Sequence, residues 1–359
     1  MLVFAGCAHI KPAPVTDAKH EVKFEEVLIT GDLALEKLND EELFAAGTSF
    51  FASNDFAQAA RYFGRLADFH SKSIHRRAAL YNAGLSLEKL KLWEEAHQRF
   101  LELADPSKGT GDSLDAAFRV AETLYHQARF DEAVVVLKVI SGREDLALNK
   151  RMEARVQQGI CELEAGQPEI AEITLRKVMT IWQELPDKDL VDEYFPAQAQ
   201  FFMGEIYRLH YENVTLDANK TSDQLAKDVE YKAELLLSAQ GHYLRAIRIG
   251  NGYWATAAGA QIGGLYENLY EHMMTAPAPS ELNKDEGELY SQELRKKIRI
   301  LITKAITVYE RTLEAAERIG ASSPFVEKTR ESLKRMKDML LADAKAEEQS
   351  PATSKVPHG

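Results

Sequence analysis

Residues 84–100 read GLSLEKLKLWEEAHQRF, and the spacing inside this stretch decides the fold. A small residue, Gly84, is followed by Leu87, Trp93, Ala96 and Phe100. The apolar positions recur at helical intervals on both sides of Leu90-Lys91-Leu92, which reads as a turn between two helices. The same set occurs earlier as Gly47, Phe50, Phe56, Ala59 and Phe63, and later as Ala121, Leu124, Phe130, Ala133 and Leu137. A fourth copy is Gly159, Gly166, Pro168, Ala171 and Leu175, so the period is 37, 37 and then 38 residues. Repetition at a fixed period of this length marks stacked supersecondary units.

The spacing has a packing rationale. A small residue on a first helix and an alanine twelve positions later let two antiparallel helices approach. The large residue four beyond that alanine (Phe63, Phe100, Leu137, Leu175) is expected to fill the gap to the next hairpin. The turns agree: Ser53-Asn54-Asp55, Leu90-Lys91-Leu92, Gln127-Ala128-Arg129 and Ala165-Gly166-Gln167 fall between the paired helices. Asp105-Pro106 through Asp112 reads as a loop between repeats.

These residues resemble the tetratricopeptide-repeat (TPR) pattern. The resemblance implies an all-α fold, a TPR superhelical solenoid of about six helix-turn-helix units with a C-terminal capping helix. The units are expected near 40–71, 76–105, 113–141, 150–185, 195–250 and 252–318, within a solenoid spanning 39–318. The last two are looser. Gln198–Tyr207 gives a fifth first helix, and a polar stretch from Asn213 to Asp228 delays its partner, where Ala239, Tyr243 and Ala246 restore the pattern. The sixth carries Gly263 and Tyr266, an insertion around Ala276-Pro277-Ala278-Pro279, and a long second helix with Ala305 and Tyr309. Residues 322–341 read as a capping helix, which a solenoid needs to cover its last apolar face. Residues 342–359, rich in Ala, Glu, Lys, Ser and Pro, read as a disordered tail.

Composition limits the function classes. A formal charge of -12 and a pI near 5.4 argue against a phosphate-backbone partner. No stretch of eighteen apolar residues is present to make a membrane-spanning helix. Two cysteines, Cys7 and Cys161, make no disulfide framework, and Cys161 lies in an apolar-periodic helix as a small buried hydrophobe. The ten histidines lack metal-ligand spacing, and no phosphate loop, dinucleotide fingerprint or metalloprotease motif occurs. Lys108-Gly109-Thr110-Gly111 lacks the Gly-Lys-Ser/Thr ending of a phosphate loop. The expectation is therefore a protein that is not an enzyme, with no catalytic residues, no metal and no cofactor.

Phe4-Ala5-Gly6-Cys7 resembles the end of a bacterial lipoprotein signal, with Cys7 as the lipid-attachment residue. On this reading residues 1–6 are a truncated signal remnant and residues 7–38, with Pro12, Ala13, Pro14, Thr16 and Asp17, a tether. Such a signal needs a basic segment and 7–15 apolar residues. Only six residues, none of them Lys or Arg, precede Cys7, so the reading carries with it a start codon upstream. Ala8 after the cysteine implies, by resemblance to sorting in bacteria with two membranes, the periplasmic face of the outer membrane. The folded region resembles TPR outer-membrane lipoproteins of deltaproteobacterial type, including that of the myxobacterial gliding-motility apparatus. The implied partners are other proteins of an envelope complex, with the membrane reached through the lipid alone and no nucleic acid. Two alternatives stand beside it. One is a soluble cytoplasmic TPR adaptor or regulator. The other is an accessory lipoprotein of outer-membrane assembly, expected to have about five regular repeats without the insertions.

In TPR arrays the concave groove is lined by positions of the first helices that face away from the second. That register assigns Tyr81, Asn82 and Leu85 from the second unit and Phe118, Arg119, Glu122 and Tyr125 from the third. It adds Gln157 and Ile160 from the fourth, and Phe201, Glu205 and Arg208 from the fifth. Aromatics beside Asn and Arg are the usual makings of a binding hot spot. The carboxylate clamp of chaperone-binding TPR domains needs Lys and Asn where this chain has Phe44 and Thr48, so that specificity is not expected.

Overall fold

The computed structural model describes residues 35–107, 111–217, 220–275 and 281–349. Cys7, most of the tether, Lys108–Thr110, the Ala276–Pro279 insertion and the last ten residues lie outside them. Thirteen α-helices follow one another among the described residues, with one short 3-10 turn at Lys188–Leu190. They pair as α1 (Asp40–Ala52) with α2 (Phe56–Phe69), α3 (Arg76–Lys89) with α4 (Trp93–Leu101), and α5 (Asp112–His126) with α6 (Phe130–Ser141). Next come α7 (Leu148–Glu164) with α8 (Pro168–Glu184), α9 (Tyr194–Asn213) with α10 (Ser222–Ile249), and α11 (Gly252–Thr275) with α12 (Lys284–Arg318). The last helix, α13 (Pro324–Gln349), packs on α11 and α12. This is an all-α TPR solenoid of six helical hairpins.

The repeat spacing acts through one contact. A Cβ on Gly47 would lie 2.8 Å from the Phe63 ring, one on Gly84 2.5 Å from Phe100, and one on Gly159 2.8 Å from Leu175. The later hairpins repeat it: Gly204 would meet Tyr243 at 2.5 Å and Gly263 would meet Tyr309 at 2.2 Å. The large side chain therefore covers the glycine of its own hairpin, where the sequence led us to expect it to fill the gap to the next one. Only a residue without a side chain leaves room for a ring there.

The four short hairpins also share a turn. Asn54 (φ 62), Lys91 (φ 60), Ala128 (φ 57) and Gly166 (φ 76) each take the left-handed conformation one residue past the helix cap. The next amide reaches back across the turn: Asp55 N to Phe50 O, Leu92 N to Leu87 O and Arg129 N to Leu124 O at 2.9 Å, and Gln167 N to Glu162 O at 3.0 Å. This Schellman geometry satisfies carbonyls that the helix end would otherwise leave open.

Three expectations are corrected. Leu35 is buried and Leu38 packs beside it in the core of the first hairpin, so the tether ends before them rather than at 38. Apolar side chains next to a core are worth more buried than in water. The polar stretch after Asn213 is helical from Ser222 on: α10 starts there under a capping box formed by Thr221 and Gln224, and α12 starts under the equivalent box of Asn283 and Glu286. The fifth and sixth hairpins therefore have second helices of 28 and 35 residues, against 9 to 17 in the first eight helices. Finally, α13 continues to Gln349, eight residues into the stretch read as disordered, because Ala342–Gln349 consists largely of strong helix formers.

Candidate protein-binding groove

The first helices of successive hairpins, α3, α5, α7 and α9, lie side by side and enclose a cavity of about 420 Å³ on their shared face. Tyr81 of α3 enters the wall beside Phe118 and Arg119 of α5. Of the groove residues named from sequence, Tyr81, Asn82, Leu85, Arg119, Glu122, Tyr125, Glu205 and Arg208 are half-buried, and of these Tyr81 and Arg119 line the cavity. Tyr81 is set edge-on against Phe100 at 5.5 Å, and Tyr125 likewise against Phe130 at 5.4 Å, so both rings are held by the core beneath them.

Four residues sit deeper than expected. Phe118 is 1% exposed, although it lines the cavity. Gln157, Ile160 and Phe201 are buried and do not line it. The physical reason is the tighter stacking from α7 onward, where α9 packs against both α7 and α11. Phe201 is consequently sealed between Trp254 (ring centroids 5.0 Å apart) and Tyr243 (5.5 Å). Ile160 belongs to the same large core. Gln157 Oε1 is buried without a hydrogen-bond partner.

The half-exposed charges are tied into knots that cross from helix to helix. Arg119 reaches Glu88 of α3 at 3.0 Å and Glu122 at 2.9 Å. Arg208 of α9 reaches Glu205 at 2.8 Å and Glu212 at 2.5 Å. Glu205 Oε1 also accepts from the Tyr243 hydroxyl of α10 (2.5 Å) and the Gln261 amide of α11 (2.7 Å). Farther along, Glu267 of α11 accepts from the Tyr309 hydroxyl of α12 at 2.8 Å and from Arg335 Nε of α13 at 2.6 Å. Charged hydrogen bonds of this kind fix side-chain direction as well as adding energy.

Burial shapes the titration of these groups. It pushes the Glu88 carboxyl up to about 8, Arg119 opposing the shift and Glu122 adding to it. Burial likewise raises Glu122. On the far side of α9, burial pushes His242 down to about 4; its Nδ1 lies 3.0 Å from Gln200 Oε1 and its ring stacks on Tyr207. Burial pushes the Cys161 thiol up to about 12, so the thiolate is suppressed at neutral pH and the residue behaves as the small hydrophobe expected.

Sequence reasoning missed the other wall residues: Asp115, Asn149, Lys150, Glu153, Asp192 and the Tyr194-Phe195 pair. A signal existed for two of them. Asp115 and Glu153 each stand six residues before the small residue of their unit, Ala121 and Gly159. At the first unit, Phe44 stacks on His75 at 4.7 Å and the Thr48 hydroxyl donates to the Phe44 carbonyl. Among the described residues no cluster of three or more His, Cys, Asp or Glu is placed to hold a metal ion, and no helix is long and apolar enough to cross a membrane.

The sequence matches no family model and no curated protein. Solved structures similar to it include a TPR-repeat protein from Bacteroides fragilis (12% identity, 84% of this chain and 99% of that one, TM-score 0.31). Another is a TPR protein from Parabacteroides merdae (14% identity, 83% and 98%, TM-score 0.38). A third is Rap protein complexed with competence and sporulation factor (12% identity, 86% and 78%, TM-score 0.33). At these scores the likeness adds no argument to the hairpin geometry of the chain itself.

Proposed function

We propose that this chain is a non-catalytic scaffold that holds a segment of another protein along the face formed by its first helices. The observation that carries the reading is the line of half-buried side chains on the first helices, from Tyr81, Asn82 and Leu85 through Arg119, Glu122 and Tyr125 to Glu205 and Arg208, of which Tyr81 and Arg119 border the cavity. Core rings hold Tyr81 and Tyr125, and ion pairs hold Arg119, Glu122, Glu205 and Arg208, so a bound segment would pay little to order them. Aromatic and arginine anchors in such a setting are what binding hot spots are made of.

The same proposal extends to place. A lipid on Cys7 would hold the solenoid at the periplasmic face of the outer membrane, where the groove would recruit subunits of an envelope complex. The gliding-motility apparatus is the machine to which the resemblance points. Support comes from Phe4-Ala5-Gly6-Cys7 and the polar, proline-bearing residues behind it. An acyl anchor of this kind, with more than one chain, attaches a folded domain stably without a spanning helix.

Site-specific photo-crosslinking tests the groove: a benzophenone side chain at Asn82 or Tyr125 should capture a protein in cells, and one at Val135, exposed on the second helix α6, should not. Equal capture from both faces would reject the groove. Labelling with a palmitate analogue tests the anchor, and label that persists in Cys7→Ser would reject it.

A further inference from the structure

The cavity between α3, α5, α7 and α9 is walled by rings and carboxylates together. Tyr81, Phe118, Tyr194 and Phe195 supply four aromatic side chains, and Asp115, Glu153 and Asp192 supply three acids. The two bases of the wall are already committed. Arg119 is shared between Glu88 and Glu122, and Lys150 pairs with Glu153 at 3.1 Å. Asp115 and Asp192 are exposed, and neither forms an ion pair with any described residue. The wall therefore presents two carboxylates that lack an ion-pair partner, Asp192 Oδ1 accepting from the Tyr194 amide at 2.9 Å and Asp115 standing in the first turn of α5.

One further observation points to a cation. The Lys150 ammonium stands 5.2 Å from the centre of the Phe118 ring while paired to Glu153, so the chain itself already places a positive charge on this aromatic wall.

We propose that the cavity receives an arginine side chain from the protein segment held in the groove. This rests on the groove reading above and names the chemistry of its partner. A guanidinium stacks flat on an aromatic ring while its edge donates to carboxylates, a combination an ammonium does not offer. Asp115 and Asp192 meet that edge from α5 and from the approach to α9. An acidic segment would instead bring its charge beside two unpaired carboxylates and be rejected.

The test is fluorescence anisotropy on the full chain with a labelled glycine-serine peptide carrying two central arginines, compared with the same peptide carrying lysines or glutamates. The expected order is arginine tighter than lysine, with glutamate not binding, and each affinity falling as salt is raised. Asp115→Asn/Asp192→Asn, two exposed changes that leave the core intact, should weaken the arginine peptide roughly tenfold or more, as loss of a close charge pair does. Glutamate binding as well as arginine, no arginine binding, or an unchanged affinity in the double variant would each overturn the proposal. A separate arm repeats the crosslinking from Asn82 in the double variant. Capture that persists there overturns the arginine site and leaves the groove reading standing, whereas wild-type chain that captures nothing from the groove overturns both.

Discussion

The Lys232 ammonium stands 4.0 Å from the centre of the Tyr211 ring and donates to the carbonyl of that same residue at 2.8 Å. Its second bond, at 2.9 Å, goes to the carbonyl of Val214. A wholly buried lysine from α10 thus closes the C-terminal end of α9, where helix carbonyls lack partners and the helix dipole is negative. Lys232→Met keeps the length of the side chain and removes the charge and its donors. The carbonyl of part-buried Val214 then loses the lysine while that of Tyr211 keeps the Val214 amide, at about 1–3 kcal/mol for an acceptor left open, partly offset by no longer burying a charge. The expected result is a net loss of about 1–3 kcal/mol. Amide exchange at the end of α9 should accelerate first, and unchanged exchange there would refute the capping role.

Glu88 makes stability depend on pH in a direction opposite to the usual carboxylate. Its side chain is 9% exposed and burial raises its carboxyl to about 8 from the ordinary 4.5. Between those values the folded chain holds a proton that the unfolded chain releases, so the contribution is full below pH 4.5 and is lost as pH rises toward 8. Glu88→Gln keeps an acceptor for Arg119 and cannot ionise. The variant should match the wild type near pH 5 and unfold at a higher temperature near pH 8, by the equivalent of about 1–3 kcal/mol. Parallel melting curves from pH 5 to 8 for the two proteins would exclude the assignment.

What was legible in the sequence depended on how local the cause was. Gly84 and Phe100 are sixteen residues apart and touch within one hairpin, so their contact is written as a spacing and repeats with the fold. The start of α10 was also written locally, in Thr221 and Gln224, but polar residues around it resemble a loop until the capping box is recognised. The depth of Phe201 was not written locally at all. It follows from Trp254, which arrives from α11 fifty-three residues later. The groove was therefore clearest at α3 and α5, where neighbouring first helices leave Tyr81 and Arg119 half-exposed, and least clear at α7 and α9, where they close over Ile160 and Phe201.

The repeated turn predicts a graded series. Ala128 and Lys91 hold a left-handed conformation that costs an L side chain about 1–2 kcal/mol, and both are exposed, with no contact to lose. Ala128→Gly and Lys91→Gly should each stabilise by about 0.5–1 kcal/mol after the greater freedom of glycine in the unfolded chain is subtracted. Asn54→Gly should change little, because asparagine tolerates this region. Gly166→Ala should destabilise by a similar amount, although nothing lies within 4 Å of the added methyl. Unfolding midpoints of the four variants check the order, and a stabilising Gly166→Ala would contradict the backbone argument.

Glycines inside the helices should respond with opposite signs according to what faces them. At Gly263 a methyl would press into the Tyr309 ring, whose hydroxyl is held by Glu267 and whose position sets the packing of α12 on α11. The ring has nowhere to go in a packed interior, so Gly263→Ala should cost about 1–3 kcal/mol despite its better helix propensity. At Gly241, in the middle of α10, the same methyl would meet only the guanidinium of Arg245, at 3.6 Å. Gly241→Ala should therefore keep the propensity gain and stabilise by about 0.5–1 kcal/mol. Chemical denaturation of both variants decides the matter. If they shifted the same way, helix propensity alone would govern both sites, and the glycine–ring contact would not be what holds the hairpins together.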